Sequence, residues 1–248
     1  KLHLCAAKHY VKNGGDLAAM DKLNEAAAAK LRKQGKRPFV IPVGGTCPTG
    51  TWGYLHAVEE LRRQQQSPPP SSTAESSAVP SSFDHIVVAC GSGGTAAGLA
   101  LGMRMSGMSV NTALHAVNVQ HTPSSFYNLI DEEARAMGVT EADHASLGPS
   151  TEWLNIIDGG RLGYGNTDKE ELQSILRVAS SSGVLLDHTY TGKALHHFCA
   201  HARAHPETFR GSKVLFWHTG GLPGLAAQEA ELLKDGSGLV EPPERLEL

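Results

Sequence analysis

An excess of charge of one sign is missing from this chain. Its 248 residues carry 22 Lys and Arg against 25 Asp and Glu, a formal net charge of −3. A balance of that kind gives no basic signature for nucleic acid and no polybasic signature for a membrane surface. Long apolar runs are missing too. No stretch reaches the roughly 18 residues of a membrane span, and no charged-then-apolar signal segment opens the chain. Cysteine is scarce and scattered: Cys5, Cys47, Cys90 and Cys199 form no Cys-x-x-Cys pair. They read as reduced thiols of an intracellular protein. An initiating Met is also lacking. The chain opens on Lys1, and Leu2 to Ala6 reads like a strand already inside a domain, so further sequence is expected upstream.

What is present alternates between strand and helix. Asp16 to Gln34 and Gly50 to Gln66 space their apolar residues as helices do, with the β-rich run Phe39 to Val43 between them. Residues 64–82 are rich in Gln, Pro and Ser around Pro68-Pro69-Pro70. Such a segment buries too little apolar surface to offset ordering, so a disordered insertion is expected there, interrupting domain sequence at 1–63 and 83–248. His85 to Ala89 is a near-continuous apolar run, the pattern of a strand covered on both faces. Helices are expected over Thr95–Met105, Pro123–Met137, Lys169–Ser182, Lys193–His205 and Gly224–Leu233. Leu114–Val119 and Val214–His218 read as strands, and Val184 to Leu186 is a short apolar run. Strands separated by helices pair in parallel. The fold class is therefore α/β, an open, mostly parallel twisted sheet with helices on both faces.

Gly91-Ser92-Gly93-Gly94-Thr95 falls where the buried strand meets a helix. Glycines there let main-chain N–H groups converge, and the helix N-terminus adds positive potential, so the loop suits a phosphate. The plainer alternative is a tight turn without a ligand. A dinucleotide fits less well than a single phosphate, because the next strand ends in Val119-Gln120-His121 and offers no acidic partner. No Gly-Lys-Ser/Thr follows, which excludes a P-loop, and Ser92 lacks the Gly-x-Ser-x-Gly frame of a hydrolase elbow.

Four segments in order resemble one family. They are Ile41-Pro42-Val43-Gly44-Gly45-Thr46 with Trp52-Gly53-Tyr54, Cys90 to Thr95, Leu186-Asp187-His188-Thr189-Tyr190-Thr191-Gly192-Lys193, and His218-Thr219-Gly220-Gly221-Leu222-Pro223. Together they resemble D-cysteine desulfhydrase and 1-aminocyclopropane-1-carboxylate deaminase, pyridoxal-phosphate enzymes of fold type II. The resemblance implies that Gly91, Ser92, Gly93, Gly94 and Thr95 hold the cofactor phosphate. It implies that Tyr190 lies beside the cofactor ring, that Thr191 faces the pyridine nitrogen, and that Tyr164 is a second active-site tyrosine. Thr191-Gly192 also stands where the helix starting near Lys193 needs a cap. A neutral hydroxyl facing the ring nitrogen, where the ring-opening deaminases resemble a carboxylate case, points to the desulfhydrase branch. The implied reaction takes D-cysteine and water to pyruvate, hydrogen sulfide and ammonia. A homodimer, or a subunit of a larger assembly, is implied in the same way.

One requirement is unmet. Schiff-base chemistry needs a lysine that reaches the cofactor aldehyde, and the resemblance places it well upstream of the phosphate loop. Lys193 belongs to a different motif, so no Schiff-base lysine is assigned. Two alternatives therefore stay open: a catalytically inactive chain with a structural role, and a dinucleotide-binding oxidoreductase. No metal site is expected. His197, His201 and His205 share one helix face, expected to be solvated and to lie opposite Leu195, Phe198 and Ala202. Asp131-Glu132-Glu133 reads as exposed helix surface, and Cys90 as a small buried residue.

Overall fold

The computed structural model describes residues 17–66, 82–119, 123–140 and 148–225. The expected strand at Leu2 to Ala6, residues 67–81 of the expected insertion, and the expected helix beyond Leu225 lie outside them.

In chain order the elements are α1 (Leu17–Lys33), α2 (Pro48–Gln66), β1 (His85–Cys90), α3 (Gly94–Met105), β2 (Ala113–Asn118), α4 (Pro123–Ala136), β3 (Leu154–Asp158), α5 (Lys169–Ser182), α6 (Thr191–Ala204), the short α7 (Pro206–Phe209) and β4 (Val214–Trp217). Gln64 to Gln66 complete the last turn of α2, so ordered structure runs three residues past the expected boundary at Arg63.

The strands form one parallel sheet in the order β3-β2-β1-β4. From β1 the chain steps outward through β2 to β3, then returns to the other side of β1 to lay down β4. The direction of winding therefore reverses between β1 and β4. In an open α/β sheet, ligands bind outside the carboxyl ends of the strands at such a reversal. The loops leaving β1 and β4 there are Gly91–Gly93 and His218–Gly221, two of the four segments singled out in the sequence.

Alternation along β1 builds the core on both faces. Ile86, Val88 and Cys90 join Leu99, Met103, Leu114, Phe126 and Ile130 in one layer. Val87 and Ala89 join Val117, Ile157, Ala194 and Phe198 in the other. Cys90 is fully buried, and burial pushes its thiol up to about 12, which keeps it protonated and unreactive.

Several expectations change. Phe39 to Val43 is not a strand: it pairs with nothing among the described residues, and Phe39 and Ile41 are exposed. Pro38 and Pro42 remove two ladder donors there, and the run leads into a tight turn at Val43–Gly45. Val184 to Leu186 is not a strand either, although Leu186 is buried. β3 was not anticipated; with Asn155 and Asp158 in its five residues it is a short edge strand of mixed burial. His197 does not face solvent, because its Nε2 lies 2.8 Å from the buried Glu171 carboxylate of α5. Glu133 accepts from the buried Thr51 hydroxyl at 3.2 Å, and Asp131 accepts from the Ser150 N–H at 3.2 Å, so the acidic run ties α4 to its neighbours.

His85 and His115 meet inside the protein, with Nδ1 of the first 3.0 Å from Nε2 of the second. Nδ1 of His115 has no partner among the described residues, and an orphaned lone pair costs less than an orphaned N–H. The proton therefore sits on His115 Nε2 and is donated to His85. Burial, with His85 and His201 adding, lowers the His115 pKa to about 4. The folded state thus binds this proton less readily than the unfolded chain, whose histidines titrate near ~6.5. Stability from the pair is complete above that value and is lost as pH falls towards about 4. Urea unfolding at pH 7 and at pH 4.5 should differ by about 2 kcal/mol on this account, and His115→Asn should flatten the slope.

Candidate functional site

The glycine loop is shaped by what a side chain would strike. Gly93 sits at φ 96° and precedes α3 without any side-chain cap. A Cβ on Gly91 would come within 2.8 Å of Tyr190 Cε1, and one on Gly94 within 2.9 Å of Thr46 Oγ1. On Gly93 it would run into Leu129 Cδ2. The N–H groups of the first turn of α3 have no helical acceptors. Thr46 Oγ1 donates to Ser92 Oγ at 2.8 Å, which anchors the loop from the Gly44–Thr46 side. Thr95 is half-buried, and its hydroxyl has no partner among the described residues. A concave seat of free N–H groups at a helix N-terminus is what a phosphate requires.

The second wall is organised by Asp187. Its carboxylate is buried, and no cation lies at ion-pair distance among the described residues. Oδ1 accepts from Thr191 N and Thr191 Oγ1, both at 2.7 Å. Oδ2 accepts from Thr189 N at 2.9 Å and from Tyr190 N at 2.7 Å. Four donors in this arrangement cap the head of α6 and complement its dipole. The sequence offered a signal for this, an aspartate just ahead of a helix start, but no role was assigned to it.

Thr191 consequently does not present a free hydroxyl. It is fully buried, donates to Asp187 Oδ1 and accepts from Asp187 N at 3.0 Å. The carboxylate itself packs on the turn after β4. A Cβ on Gly221 would come within 2.5 Å of Asp187 Cγ, and Gly220 and Gly221 both adopt left-handed backbone, with φ 103° and 95°. His218 binds the two segments together: Nε2 donates to Leu185 O at 2.8 Å while Nδ1 accepts from Gly220 N at 3.1 Å.

Tyr190 and Tyr164 are brought together. Their hydroxyls lie 2.7 Å apart and their rings meet edge to face at 5.8 Å between centroids. Tyr190 faces Gly91, so the pair stands beside the glycine loop. Burial, then the bond to Tyr164, pushes the Tyr190 phenol well above its ordinary range, so it stays protonated. Lys193, fully buried, donates to the carbonyls of Gly163 and Asn166. Sequence reading set this residue aside from Schiff-base chemistry but gave it no function.

The family described as "Pyridoxal-phosphate dependent enzyme" matches residues 4–220. A bifunctional D-cysteine desulfhydrase/1-aminocyclopropane-1-carboxylate deaminase of Arabidopsis thaliana, described as mitochondrial, is 38% identical over 224 residues, covering 90% of this chain and 50% of that protein. A putative 1-aminocyclopropane-1-carboxylate deaminase of Pyrococcus horikoshii is 35% identical over 216 residues, 86% of this chain and 58% of its own. The crystal structure of an ACC deaminase homologue superposes with a TM-score of 0.68 at 33% identity, over 91% of this chain and 61% of that one. The chain therefore spans between half and three-fifths of the length of these relatives.

The Asp187 cap should be essential to the fold. Asp187→Asn turns an NH₂ toward main-chain donors and should cost about 2–4 kcal/mol. Thr191→Val should cost about 1–2 kcal/mol in the same denaturant titration.

Proposed function

The chain belongs to the pyridoxal-phosphate-dependent enzyme family, and from that membership we propose that the whole protein is a D-cysteine desulfhydrase or a closely related deaminase. The observation that carries the reading is the two-phenol pair, 2.7 Å between oxygens, standing beside a glycine loop whose Gly91, Gly93 and Gly94 are closed to a Cβ by Tyr190, Leu129 and Thr46.

The residues fit the family's cofactor. Gly91, Gly93 and Gly94 put main-chain N–H groups and no side chains at the loop, Thr95 has a hydroxyl uncommitted among the described residues, and α3 would bring its dipole to the phosphate. Bound there, pyridoxal phosphate supplies an electron sink for bonds at the amino-acid α-carbon. The protein's own residues then do the rest. Asp187 and the Gly220–Gly221 turn fix the head of α6, so that Tyr190 is held against Gly91. Tyr190, kept protonated, is the group able to hand a proton to the departing sulfur, and Tyr164 is the second member of that relay. Thr191 gives its hydroxyl proton to the Asp187 carboxylate, so its side chain does not choose between loss of a thiol from D-cysteine and opening of a cyclopropane ring. The overall change is D-cysteine plus water to pyruvate, hydrogen sulfide and ammonia.

The lysine that links the cofactor is unassigned in these residues, so the activity is proposed of the whole protein. A homodimer belongs to the same proposal. Neither dinucleotide binding nor a purely structural role draws support from the names of the relatives.

The test is chemical. Supplied with cofactor, the protein should release pyruvate, sulfide and ammonia from D-cysteine in equal amounts. Tyr190→Phe should lower kcat by about 10²–10⁴ while the cofactor stays bound. Gly94→Val should instead weaken cofactor retention, read by equilibrium dialysis. Ammonia from 1-aminocyclopropane-1-carboxylate without sulfide from D-cysteine would move the assignment to the deaminase. Turnover of neither would sink it.

A further inference from the structure

A cation in the first turn of a helix opposes the helix dipole. Lys193 occupies such a position, three residues after Tyr190 at the head of α6. Its side chain is fully buried. A buried ammonium is costly unless its protons find acceptors. No carboxylate lies at ion-pair distance from Lys193 among the described residues. Its Nζ donates instead to two main-chain carbonyls, Gly163 O at 3.2 Å and Asn166 O at 2.5 Å. Those carbonyls bracket Tyr164.

The stretch so held is also tied around Tyr164: Gly163 N donates to Gly160 O at 2.8 Å, Asn166 Nδ2 donates to Leu162 O at 2.9 Å, and Arg161 pairs with Asp168 at 2.6 Å, but none of these bonds reaches Tyr164 itself. Gly163 and Gly165 flank Tyr164 at φ 79° and 74°. Tyr164 is 56% exposed, and among the described residues its hydroxyl is bonded to Tyr190 alone. Just beyond, Thr167 Oγ1 donates to His188 O at 3.1 Å. Two left-handed glycines around an exposed side chain leave many backbone states accessible unless something removes them.

Helical spacing explains why a single motif can do two jobs. Residues three apart at a helix start lie on one face. Tyr190 and Lys193 therefore address the same segment, one by its phenol and the other by its ammonium. We propose that Lys193 is a positioning residue: by gripping the carbonyls of Gly163 and Asn166, it sets Tyr164 at hydrogen-bond distance from Tyr190. The catalytic consequence rests on the desulfhydrase reading; the grip itself does not.

Hydrogen exchange of the whole protein without added cofactor reads the grip directly. In Lys193→Met, which keeps the stem and removes the donor, the Gly163 amide, which donates to Gly160 O at 2.8 Å, should exchange at least about tenfold faster while those of β1 and β2 are unchanged. Lys193→Gln, which restores a neutral donor one atom shorter, should fall between. With cofactor and D-cysteine, kcat of Lys193→Met should drop roughly tenfold at nearly constant KM, and adding Tyr164→Phe should cost no more than Tyr164→Phe alone. Unchanged exchange overturns the proposal, and so do losses that simply add. If Lys193→Met does not fold, Lys193→Gln carries the same comparisons. Faster exchange in the variants of a protein that never turns over D-cysteine would support the grip and count against the substrate assignment.

Discussion

Asp187 places a carboxylate inside the protein with no cation beside it among the described residues, and the surrounding main chain is built to receive it. Three N–H groups and one hydroxyl converge on its two oxygens. Satisfying them forces the turn from His188 to Tyr190 and starts α6 at Thr191. The same carboxylate leaves no room for a side chain on Gly221. Remove it, and the head of α6, the backbone of Tyr190 and the turn after β4 lose their common reference. The glycine loop needs this reference as well, since Tyr190 is what closes against Gly91.

Sheet topology brings these parts to one place. Because winding reverses between β1 and β4, the loops leaving both strands open on the same crevice. Segments more than a hundred residues apart in the chain, Gly91 and Gly221 among them, become two sides of one site. The pairing of His85 with Val214 and of Val88 with Trp217 holds that crevice in register.

Much of this was legible in the residues, for reasons that can be named. α5 runs over Lys169–Ser182 as read, because Asp168 and Glu171 form a capping box and Gly183 ends the helix at φ 73°. β1 was plain from its apolar run, which both faces of the sheet bury. β3 was missed because an edge strand of Leu, Asn, Ile, Ile and Asp carries only part of the apolar signal. Phe39 to Val43 had the right residue types for a strand, but Pro42 within it and Pro38 before it leave too few donors to pair. The site divides in the same way. Glycines that exclude a Cβ and tyrosines of a known motif stand out in a sequence. The partners of Asp187 and Lys193 are main-chain atoms, which no pattern of side chains displays; only the anomaly of a lysine in a first helical turn hinted at the second.

Tyr190 caps α6, accepting from Ala194 N at 2.8 Å, and Lys193 lies in the first turn, and this bears on which distances in the site can vary. If α6 shifts as a body, it carries a phenol and the anchor of that phenol's partner together. The gap between the two hydroxyls is then insulated from the movement, as two points on one lever keep their separation. Such a shift would act first on the contact of Tyr190 with Gly91 and on the Asp187 bonds to the helix head. With the proposed grip in place, the spacing within the phenol pair would outlast the spacing between the pair and the glycine loop.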